Sequence, residues 1–459
     1  MNRAISAETM KIPEPIIDPT TTMVESYRPS PRVNSESIAV VCGCMDLIQY
    51  HECVSMHPFR RDLAPILLAG AAAVLTVVSI AAFEILMGAA FVALIVTRAE
   101  WRIPRIWIPF SVFVAGTILS LAASGHVRQG LPQIKKFYVY LMVALITAAF
   151  SAVAQVRWLA LGWTLAASLS AAWALNQFYN KYEDAKEAHT DFYHAYVGDR
   201  ITGFMSHWMT FSGQMMIALL VIGALLFFSQ HKRWLTVALL GAGALIGVSL
   251  LAAETRSVWL ATAIGAAYLI WFWKRWALIA IPVLAAIVVL VNPFEIGDRV
   301  KSAINPHGTL DSNAHRAMCR AIGWEMIKAH PLLGVGPEQV GPQHLQYLPP
   351  GTALPLPPGY YGHLHNMYIH YAAERGIPAM LALLWMLWWA LSDFVTALRR
   401  SSPGSPSRWL LHAAIAVMIA VLIGGYEELN LGDSEVLAMF LAMVGCGYVA
   451  VNEVNRECN

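Results

Sequence analysis

Apolar runs long enough to cross a membrane recur along nearly the whole chain, and no other feature constrains its fold as strongly. A helix needs about 20 apolar residues to cross the hydrocarbon core of a bilayer. Because backbone amides find no water there, uninterrupted runs of this kind form helices. The runs lie at 63–82, 85–97, 106–123, 137–153, 158–178, 207–229, 234–251, 257–273, 276–292, 377–392, 409–425 and 435–451. The sequence therefore predicts an all-α integral membrane protein with about twelve transmembrane helices.

The composition agrees with this class. Hydrophobic residues make up 57% of the 459 residues and charged residues only 13%, whereas a soluble domain carries about 25% charged residues. The formal net charge of +2 is close to neutral. This charge is not informative about nucleic acid. For a polytopic membrane protein we expect membrane lipids as partners and no nucleic acid.

Lysine and arginine in the short loops predict the orientation of the helices, because these residues favour the cytoplasmic side. With the first residue placed inside, the inner loops contain most of the short-loop cations, including Arg60, Arg61, Arg98, Arg102, Arg105, Lys274, Arg275, Arg399 and Arg400. This arrangement places both termini inside. It also places two long hydrophilic segments outside, at 179–206 and at 293–365.

Five parts are expected along the chain. They are a disordered or short-helical cytoplasmic segment at 1–58, helices one to nine at 59–292, one large periplasmic loop at 293–365 between the ninth and tenth helices, helices ten to twelve at 366–452, and a cytoplasmic tail at 453–459. Within the large loop we expect a helix over 311–330, then a turn at "LLGVGPE". The proline-rich stretch "LPPGTALPLPPGYYG" should contain no regular helix, because proline removes a backbone donor.

Titratable groups concentrate at the predicted outer face and are scarce inside the helices. Four stretches hold most of them: "VGDRITGFMSHWMTFSGQ" (197–214), "AAETRSVWLA" (252–261), "NAHRAMCRAIGWEMIKAHPLLGVGPEQ" (313–339) and "YYGHLHNMYIHYAAERG" (360–376). Transporters usually place ionisable residues within the bundle. The distribution favours a reaction at the membrane surface, with a lipid or polysaccharide flippase as the alternative from another class.

Two arginines and one histidine at this face suggest a specific chemistry. Arg200 and Arg256 carry planar guanidinium groups that bind phosphate oxygens bidentately. His365 can accept a proton from a hydroxyl group near neutral pH. The three groups fit a lipid-linked pyrophosphate that reacts with an alcohol, although either arginine alone is equally well explained by contact with lipid headgroups.

Metal sites are the less favoured interpretation of two histidine-containing segments. A His-x-His pair such as His363 and His365 would share one face of an extended strand, but the run that follows is helical, carboxylates are scarce nearby and no third ligand is evident. The first segment carries a second group, consisting of Cys42, Cys44, Cys53, His51 and His57, whose spacing matches no familiar zinc pattern. We expect reduced cytosolic thiols there, and we expect neither a metal nor a cofactor in the protein.

The four outer stretches together resemble the O-antigen ligase family, within the superfamily that includes O-antigen polymerases and protein O-oligosaccharyltransferases. In "HNMYIHYAAERG", His365 and Asn366 precede a spaced glycine, Gly376, and the third position after it is Ala379. "DRITGFMSH" resembles an Arg-x-x-Gly segment and contains Arg200. "TRSVWLA" resembles a Thr/Ser-Arg segment and contains Arg256. "HRAMCRAIGWEMIKAHPLLGVGP" resembles an arginine-containing helix followed by a Gly-x-Gly turn.

The resemblance implies a glycosyltransferase of lipopolysaccharide biosynthesis in a bacterial inner membrane, multi-pass, with its active site facing the periplasm. The donor would be a polysaccharide on undecaprenyl pyrophosphate, and the acceptor a hydroxyl of lipid A–core oligosaccharide. Arg200 and Arg256 would bind the pyrophosphate. His365 would remove the acceptor proton or orient the hydroxyl in an inverting, metal-independent reaction. Further substrate-binding candidates are Asn366, Tyr368, His363, His315 and Arg316.

Two other activities of the same superfamily stay open at this stage. An O-antigen polymerase would extend the glycan on its lipid carrier, and a protein O-oligosaccharyltransferase would use serine or threonine of a protein as acceptor. The chain ends at Asn459, soon after the last apolar run. Because protein-glycosylating relatives often carry an additional C-terminal domain, this favours the ligase.

Overall fold

The computed structural model describes residues 59–292, 296–302 and 313–458. In this part of the chain all regular secondary structure is helical and no strand occurs. The predicted all-α class is therefore confirmed. The predicted cytoplasmic segment 1–58, with its cysteine and histidine group, lies outside the described residues.

The helices follow one another with short connections. They are α1 (Phe59–Leu75), α2 (Ile80–Thr97), α3 (Trp107–Ala123), α4 (Val127–Lys135), α5 (Leu141–Ala149), α6 (Val153–Glu187), α7 (Phe192–Tyr196), α8 (Trp208–Phe228), α9 (Arg233–Ala252), α10 (Arg256–Trp273), α11 (Ala280–Val291), α12 (Ile296–Lys301), α13 (Asn313–Ala329), α14 (Val340–Gln343), α15 (Met367–Arg375), α16 (Ile377–Arg400), α17 (Arg408–Gly424) and α18 (Ser434–Cys458). Short 3₁₀ turns lie at Lys136–Tyr140, Arg275–Ile279, His344–Tyr347 and Asn430–Gly432.

Six of the described helices are long and apolar enough to cross a membrane. They are α2, α6, α8, α9, α16 and α18. Shorter apolar helices lie at Leu63–Leu75, Trp107–Ala123, Arg275–Val291 and Arg408–Gly424. These lengths agree with a chain that crosses the bilayer several times. The count of about twelve crossings and the placement of the loops stay predictions.

Several predicted runs differ from the helices at their boundaries. The run 63–82 is interrupted after Leu75, because Ser79 begins a new helix and its hydroxyl accepts a hydrogen bond from Ala82 N at 3.4 Å. The run expected at 85–97 is consequently a full helix of 18 residues. The hydrophilic segment expected from residue 179 begins later, since α6 continues as a helix to Glu187. Charged residues such as lysine and glutamate are compatible with a helix outside the lipid, so α6 continues beyond its apolar part. Hydropathy locates only the end of the apolar part and therefore places the end of α6 too early.

The apolar helices divide into central and peripheral ones. Of the most apolar window of each helix, 83% is buried in α18 and 72% in α8, whereas only 22% is buried in α2. A membrane helix buried on all sides lies inside the bundle, and one that is mostly uncovered faces lipid. Helix α16 packs against α3 at a point where a Cβ added to Gly116 would lie 3.2 Å from the Cβ of Ala379. Small residues at such crossings let helices approach closely.

The turn "LLGVGPE" binds to the end of α15 through backbone hydrogen bonds. Val335 N donates to Ala373 O and Gly336 N donates to Glu374 O, both at 2.9 Å. The next residue after α15 is Gly376, with φ +86° and ψ 158°, where a Cβ would lie 2.0 Å from Leu332 O. The close approach therefore requires glycine at this position of the motif.

We expect Gly376→Ala to destabilise the fold strongly, because the substitution adds a steric clash to an unfavourable backbone conformation. Such a conformation alone costs about 1–3 kcal/mol in a non-glycine residue, and overpacking adds about 1–3 kcal/mol. Thermal unfolding of the purified protein measures the loss. Gly351→Ala is the matched control, since Gly351 also has a positive φ, +77°, but open space where the Cβ would be. Equal melting temperatures for the two variants would contradict the clash.

Candidate active site

The stretch 360–376 contains His365, whose ring lies against a carboxylate from another part of the chain. His365 Nδ1 lies 3.2 Å from Glu428 Oε2, and Glu428 belongs to the connection between α17 and α18. The side chains are 12% and 3% exposed, so the pair is largely shielded from water. A carboxylate on one ring nitrogen favours the tautomer that carries its proton there, which leaves Nε2 with a lone pair.

The same carboxylate holds an arginine. Arg316 of α13 donates from Nη2 to Glu428 Oε1, and its own side chain is only 12% exposed. Glu428 therefore joins His365 to Arg316. The buried Nε of Arg316 has no hydrogen-bond partner among the described residues. The guanidinium thus carries a donor and a positive charge into the region beside His365.

Two further imidazole rings pack against His365. The His363 ring centroid lies 4.0 Å from that of His365, and the His315 centroid lies 5.2 Å from it. Burial, and then repulsion from the His365 ring whenever that ring is protonated, lower the pKa of both His363 and His315, that of His315 to about 4. Both rings are therefore neutral at neutral pH. They surround His365 as uncharged partners and are not suited to pair with phosphate.

Arg200 and a second, unpredicted arginine converge on one backbone carbonyl. Arg200 Nη1 donates to Glu254 O at 3.1 Å, and Arg299 Nε of α12 donates to the same oxygen at 3.2 Å. Arg200 also lies over the ring of Trp208, with 4.5 Å between its Cζ and the ring centroid. Burial, and then the positive charges of Arg299 and Arg316, lower the pKa of Arg200 to about 9.

The groups that shift the pKa of Arg200 and of His207 show which charged side chains lie near one another. Arg200 and Arg299 lie together because both donate to Glu254 O, and the buried Glu254 carboxylate lies 3.9 Å from Arg299 Nε. Arg316 also acts on Arg200, so three guanidinium groups outnumber the two carboxylates, Glu254 and Glu428, that lie against them, and the region is electropositive. His207 belongs to it as well, because burial and then Arg200 lower its pKa. The charge of Glu428 acts on His207 too, in the opposite direction. The arginine region and the His365–Glu428 pair are therefore neighbours.

Arg256 lies at the start of α10 and is oriented by the large loop. Its Nη1 donates to Ser302 Oγ at 3.1 Å and its Nη2 donates to Asn313 Oδ1 at 2.7 Å. These residues flank the undescribed part of that loop. The two contacts fix the plane of the guanidinium group, and a fixed plane is what bidentate binding of an oxyanion needs.

Asn366 and Tyr368 have structural contacts that explain their place in the motif. Asn366 begins α15: its Oδ1 accepts a hydrogen bond from Ile369 N at 2.9 Å, and its Nδ2 donates to Tyr426 O at 2.8 Å. The hydroxyl of Tyr368 donates to Leu422 O at 2.6 Å. Both side chains thus anchor α15 to the end of α17. Their predicted contact with substrate stays a prediction.

Glu374 and Arg375, at the end of the same motif, also hold neighbouring segments together. Glu374 accepts hydrogen bonds from Arg375 Nε and from Glu338 N, each at 2.9 Å. Burial opposes the charge of Glu374, but Arg375 and His370 hold the pKa of this carboxyl well below its usual range. Arg375 also donates to Gln133 Oε1 at 2.8 Å. The Glu-Arg pair therefore fixes α15 to α4 and to the glycine turn.

Sequence reasoning predicted His365, Arg200, Arg256 and Arg316 but missed Glu428 and Arg299. Glu428 lies 63 positions after His365, in the short connection "GGYEELNLGDSE". Glu428 forms an ion pair with Arg316, and Glu427 forms one with Arg320, both arginines of α13.

No group of three metal-ligating side chains lies within the described ranges in a geometry that would hold a metal ion. The His-x-His pair is used instead in ring packing and in the contact with Glu428. The expectation of a metal-independent reaction is a matter for a chelation experiment and stays a prediction.

Comparison with protein families agrees with the motifs. Residues 241–384 match the family model described as O-antigen ligase. The match includes the segments of Arg256, His315, Arg316 and His365, whereas Arg200 and Glu428 lie outside it and reach the site through the fold. No curated protein matches the chain at a significant level. The family match confirms the predicted resemblance.

Proposed function

We propose, from the O-antigen ligase family match of residues 241–384, that the protein transfers a polysaccharide from undecaprenyl pyrophosphate to lipid A–core oligosaccharide. The match supports a multi-pass membrane enzyme of the ligase and polymerase superfamily that acts in lipopolysaccharide biosynthesis. The observation that carries the more specific proposal is the position of the His365–Glu428 pair beside the electropositive region of Arg200, Arg299 and Arg316.

The arginines are the donor side of the proposed site. In the reaction the bond between the anomeric carbon of the donor sugar and the pyrophosphate oxygen breaks, and the leaving undecaprenyl pyrophosphate takes the electron pair. Arg200 and Arg256 stabilise the negative charge that develops there. Arg316 adds a third guanidinium group, whose Nε has no partner in the described part of the chain.

His365 is the acceptor side. The hydroxyl oxygen of the acceptor sugar forms the new bond to the anomeric carbon, and its proton passes to Nε2 of His365. Glu428 holds Nδ1–H and balances the positive charge that the ring acquires, as a carboxylate does for a catalytic histidine elsewhere. The single displacement inverts the anomeric configuration.

The proposed site faces the periplasm of a bacterial inner membrane. The lysine and arginine bias of the short loops supports this orientation, because it places the loops that carry the cluster outside. The helices support it in a second way. Residues at the cluster and residues of the cationic inner loops lie at opposite ends of α16 and α18, which are long enough to cross a bilayer.

A competition between acceptors tests the function. The purified protein in sealed proteoliposomes receives undecaprenyl-pyrophosphate glycan together with lipid A–core, a serine- and threonine-rich acceptor protein, and additional lipid-linked glycan. We expect glycan on lipid A–core and none on the protein. Extension of the lipid-linked glycan alone would assign the polymerase activity, and label on the protein would assign protein glycosylation. Movement of intact donor across the bilayer without transfer would assign a flippase.

We expect Arg200→Lys and Arg256→Lys each to lower the transfer rate about ten- to a hundredfold, although the charge is kept. Lysine presents a point charge and cannot reproduce the guanidinium fork, and each charge-assisted hydrogen bond lost is worth about 1.5–3 kcal/mol. The rate at saturating acceptor measures this. Arg98→Lys, in an inner loop, is the control. Near-normal rates in both variants would show that these arginines only contact lipid headgroups.

A further inference from the structure

A cavity of about 450 Å³ lies at the other end of the bundle. It is open to one side and is bordered by the residues just before α3 and by the last turns of α16 and α18, and its polar lining includes Arg105, Asp393, Thr396, Arg400, Asn452 and Asn455. Its volume is in the range of small-molecule sites, roughly 300–1,000 Å³. None of the groups proposed for glycosyl transfer lines it.

Two helices, α16 and α3, show how far this cavity is from His365. Helix α16 begins beside Gly376 and ends at Arg400, so its 24 residues span about 36 Å at 1.5 Å per residue. Helix α3 reaches the motif at its other end, where Ser120 Oγ donates to Glu374 O at 3.2 Å. Arg105 precedes the first turn of α3. The cavity is thus separated from the cluster by about the thickness of a bilayer core, ~30 Å.

The cavity has an excess of positive charge. Asp393 is buried, and both of its oxygens are engaged: Oδ1 accepts from Arg105 Nη2, and Oδ2 accepts from the hydroxyl of Tyr448 at 2.9 Å. One arginine therefore neutralises the only carboxylate that lines the cavity. Arg400 remains as a second cation, and no ion pair joins it to any side chain in the described ranges.

Neutral donors and an apolar border complete the cavity. The hydroxyl of Thr396 and the amides of Asn452 and Asn455 lie on its wall, where they can donate to oxyanion oxygens. Ile103 lines the same cavity and is 69% exposed, and Ile108 of the adjoining helix is 58% exposed. A soluble anion would use only the polar wall. A lipid uses the apolar border as well, because its acyl chains follow the headgroup.

We propose that this cavity binds the phosphate headgroup of an anionic phospholipid in the membrane leaflet opposite to the glycosyl-transfer site. Arg400 binds the phosphate, the amides of Asn452 and Asn455 bind headgroup oxygens, and Asp393 holds Arg105 at the rim of the cavity. The acyl chains lie against Ile103 and Ile108. The site does not depend on the proposed activity, and its occupancy is measured without any transfer assay.

Lipid binding to delipidated, full-length protein in neutral detergent tests the proposal. Phosphatidylglycerol, phosphatidylcholine and inorganic phosphate are added separately, and the melting temperature and the lipids retained in native mass spectra are recorded. We expect phosphatidylglycerol to raise the melting temperature and to stay bound. Phosphatidylcholine and inorganic phosphate at the same concentration should do neither. Equal effects of the two lipids would overturn the proposal, and an equal effect of inorganic phosphate would assign the cavity to a soluble anion.

The matched variants are neighbours on α16. Arg400→Gln removes the cation of the cavity and should weaken phosphatidylglycerol binding about tenfold or more, since a charge-assisted contact is lost. Arg399→Gln removes the adjacent exposed cation, which does not line the cavity, and should leave binding unchanged. Arg105 is unsuitable for the test, because its removal would leave Asp393 buried without its partner. Equal losses in the two variants would show general attraction of anionic lipid to the basic helix end and would overturn the site.

Discussion

His365→Ala is expected to lower the rate of glycan transfer about 10²- to 10⁴-fold, which is the usual contribution of a general base. The donor should still bind, because Arg200, Arg256 and Arg316 remain. Transfer is measured at saturating donor and acceptor, and donor affinity is measured separately by equilibrium binding of labelled undecaprenyl-pyrophosphate glycan. An alanine variant that transfers glycan at a near-normal rate would remove His365 from the reaction.

The backbone at His365 allows a sharper variant. Its φ is +46°, in the left-handed region, which asparagine tolerates better than most other residues. His365→Asn therefore keeps the local backbone and a polar group near Glu428 but has no basic nitrogen. We expect it to be as inactive as the alanine variant, while His363→Ala retains most of the rate. Activity in His365→Asn would show that the histidine only orients the hydroxyl.

Glu428→Gln is expected to lower the maximal rate about ten- to a hundredfold with little change in donor affinity. The substitution keeps the size of the side chain but removes the charge that holds Arg316 and that balances the protonated ring of His365. A hydrogen bond to a charged group contributes about 1.5–3 kcal/mol, which sets the size of the effect. The part of this effect that passes through His365 should disappear when Glu428→Gln is combined with His365→Ala, and any further loss in the double variant measures the part that passes through Arg316.

Glu427→Gln is the matched control for this prediction. Glu427 pairs with Arg320 at 3.0 Å, but both side chains are roughly one-third exposed. Ion pairs of this kind contribute about 0–1 kcal/mol. We therefore expect close to the normal rate. A similar loss in both variants would mean that the connection between α17 and α18 tolerates neither change, and the specific role of Glu428 would be contradicted.

The sequence predicted the elements of this protein better than their contacts. The helix expected at 311–330 is α13, Asn313–Ala329, and the proline-rich stretch contains no helix between Leu348 and Met367. Hydrophobic periodicity and proline determine helix formation through residues that are close in sequence. The sequence alone is therefore sufficient to predict the helix and the non-helical stretch. The break before Ser79 and the extension of α6 to Glu187 were missed, because hydropathy measures burial in lipid and does not measure where a helix ends.

The site was predictable only in part, for a related reason. His365, Arg200 and Arg256 stand in recognisable short motifs, whereas Glu428 and Arg299 become their neighbours only when distant helices pack together. Asn366 shows the opposite case. It stands next to His365 in the motif, yet its amide caps α15 and binds Tyr426 O. Adjacency in sequence therefore does not show that the Asn366 amide caps a helix, and the roles of both residues towards substrate stay predictions.

The central claim is a single displacement in which His365 accepts the proton of the acceptor hydroxyl. Nuclear magnetic resonance of the purified product gives the anomeric configuration of the new bond between glycan and lipid A–core, for comparison with the configuration in the donor. The account predicts inversion, with transfer undiminished when a chelator is present. Retention of configuration would require a covalent intermediate on the enzyme and would contradict the mechanism proposed for this site.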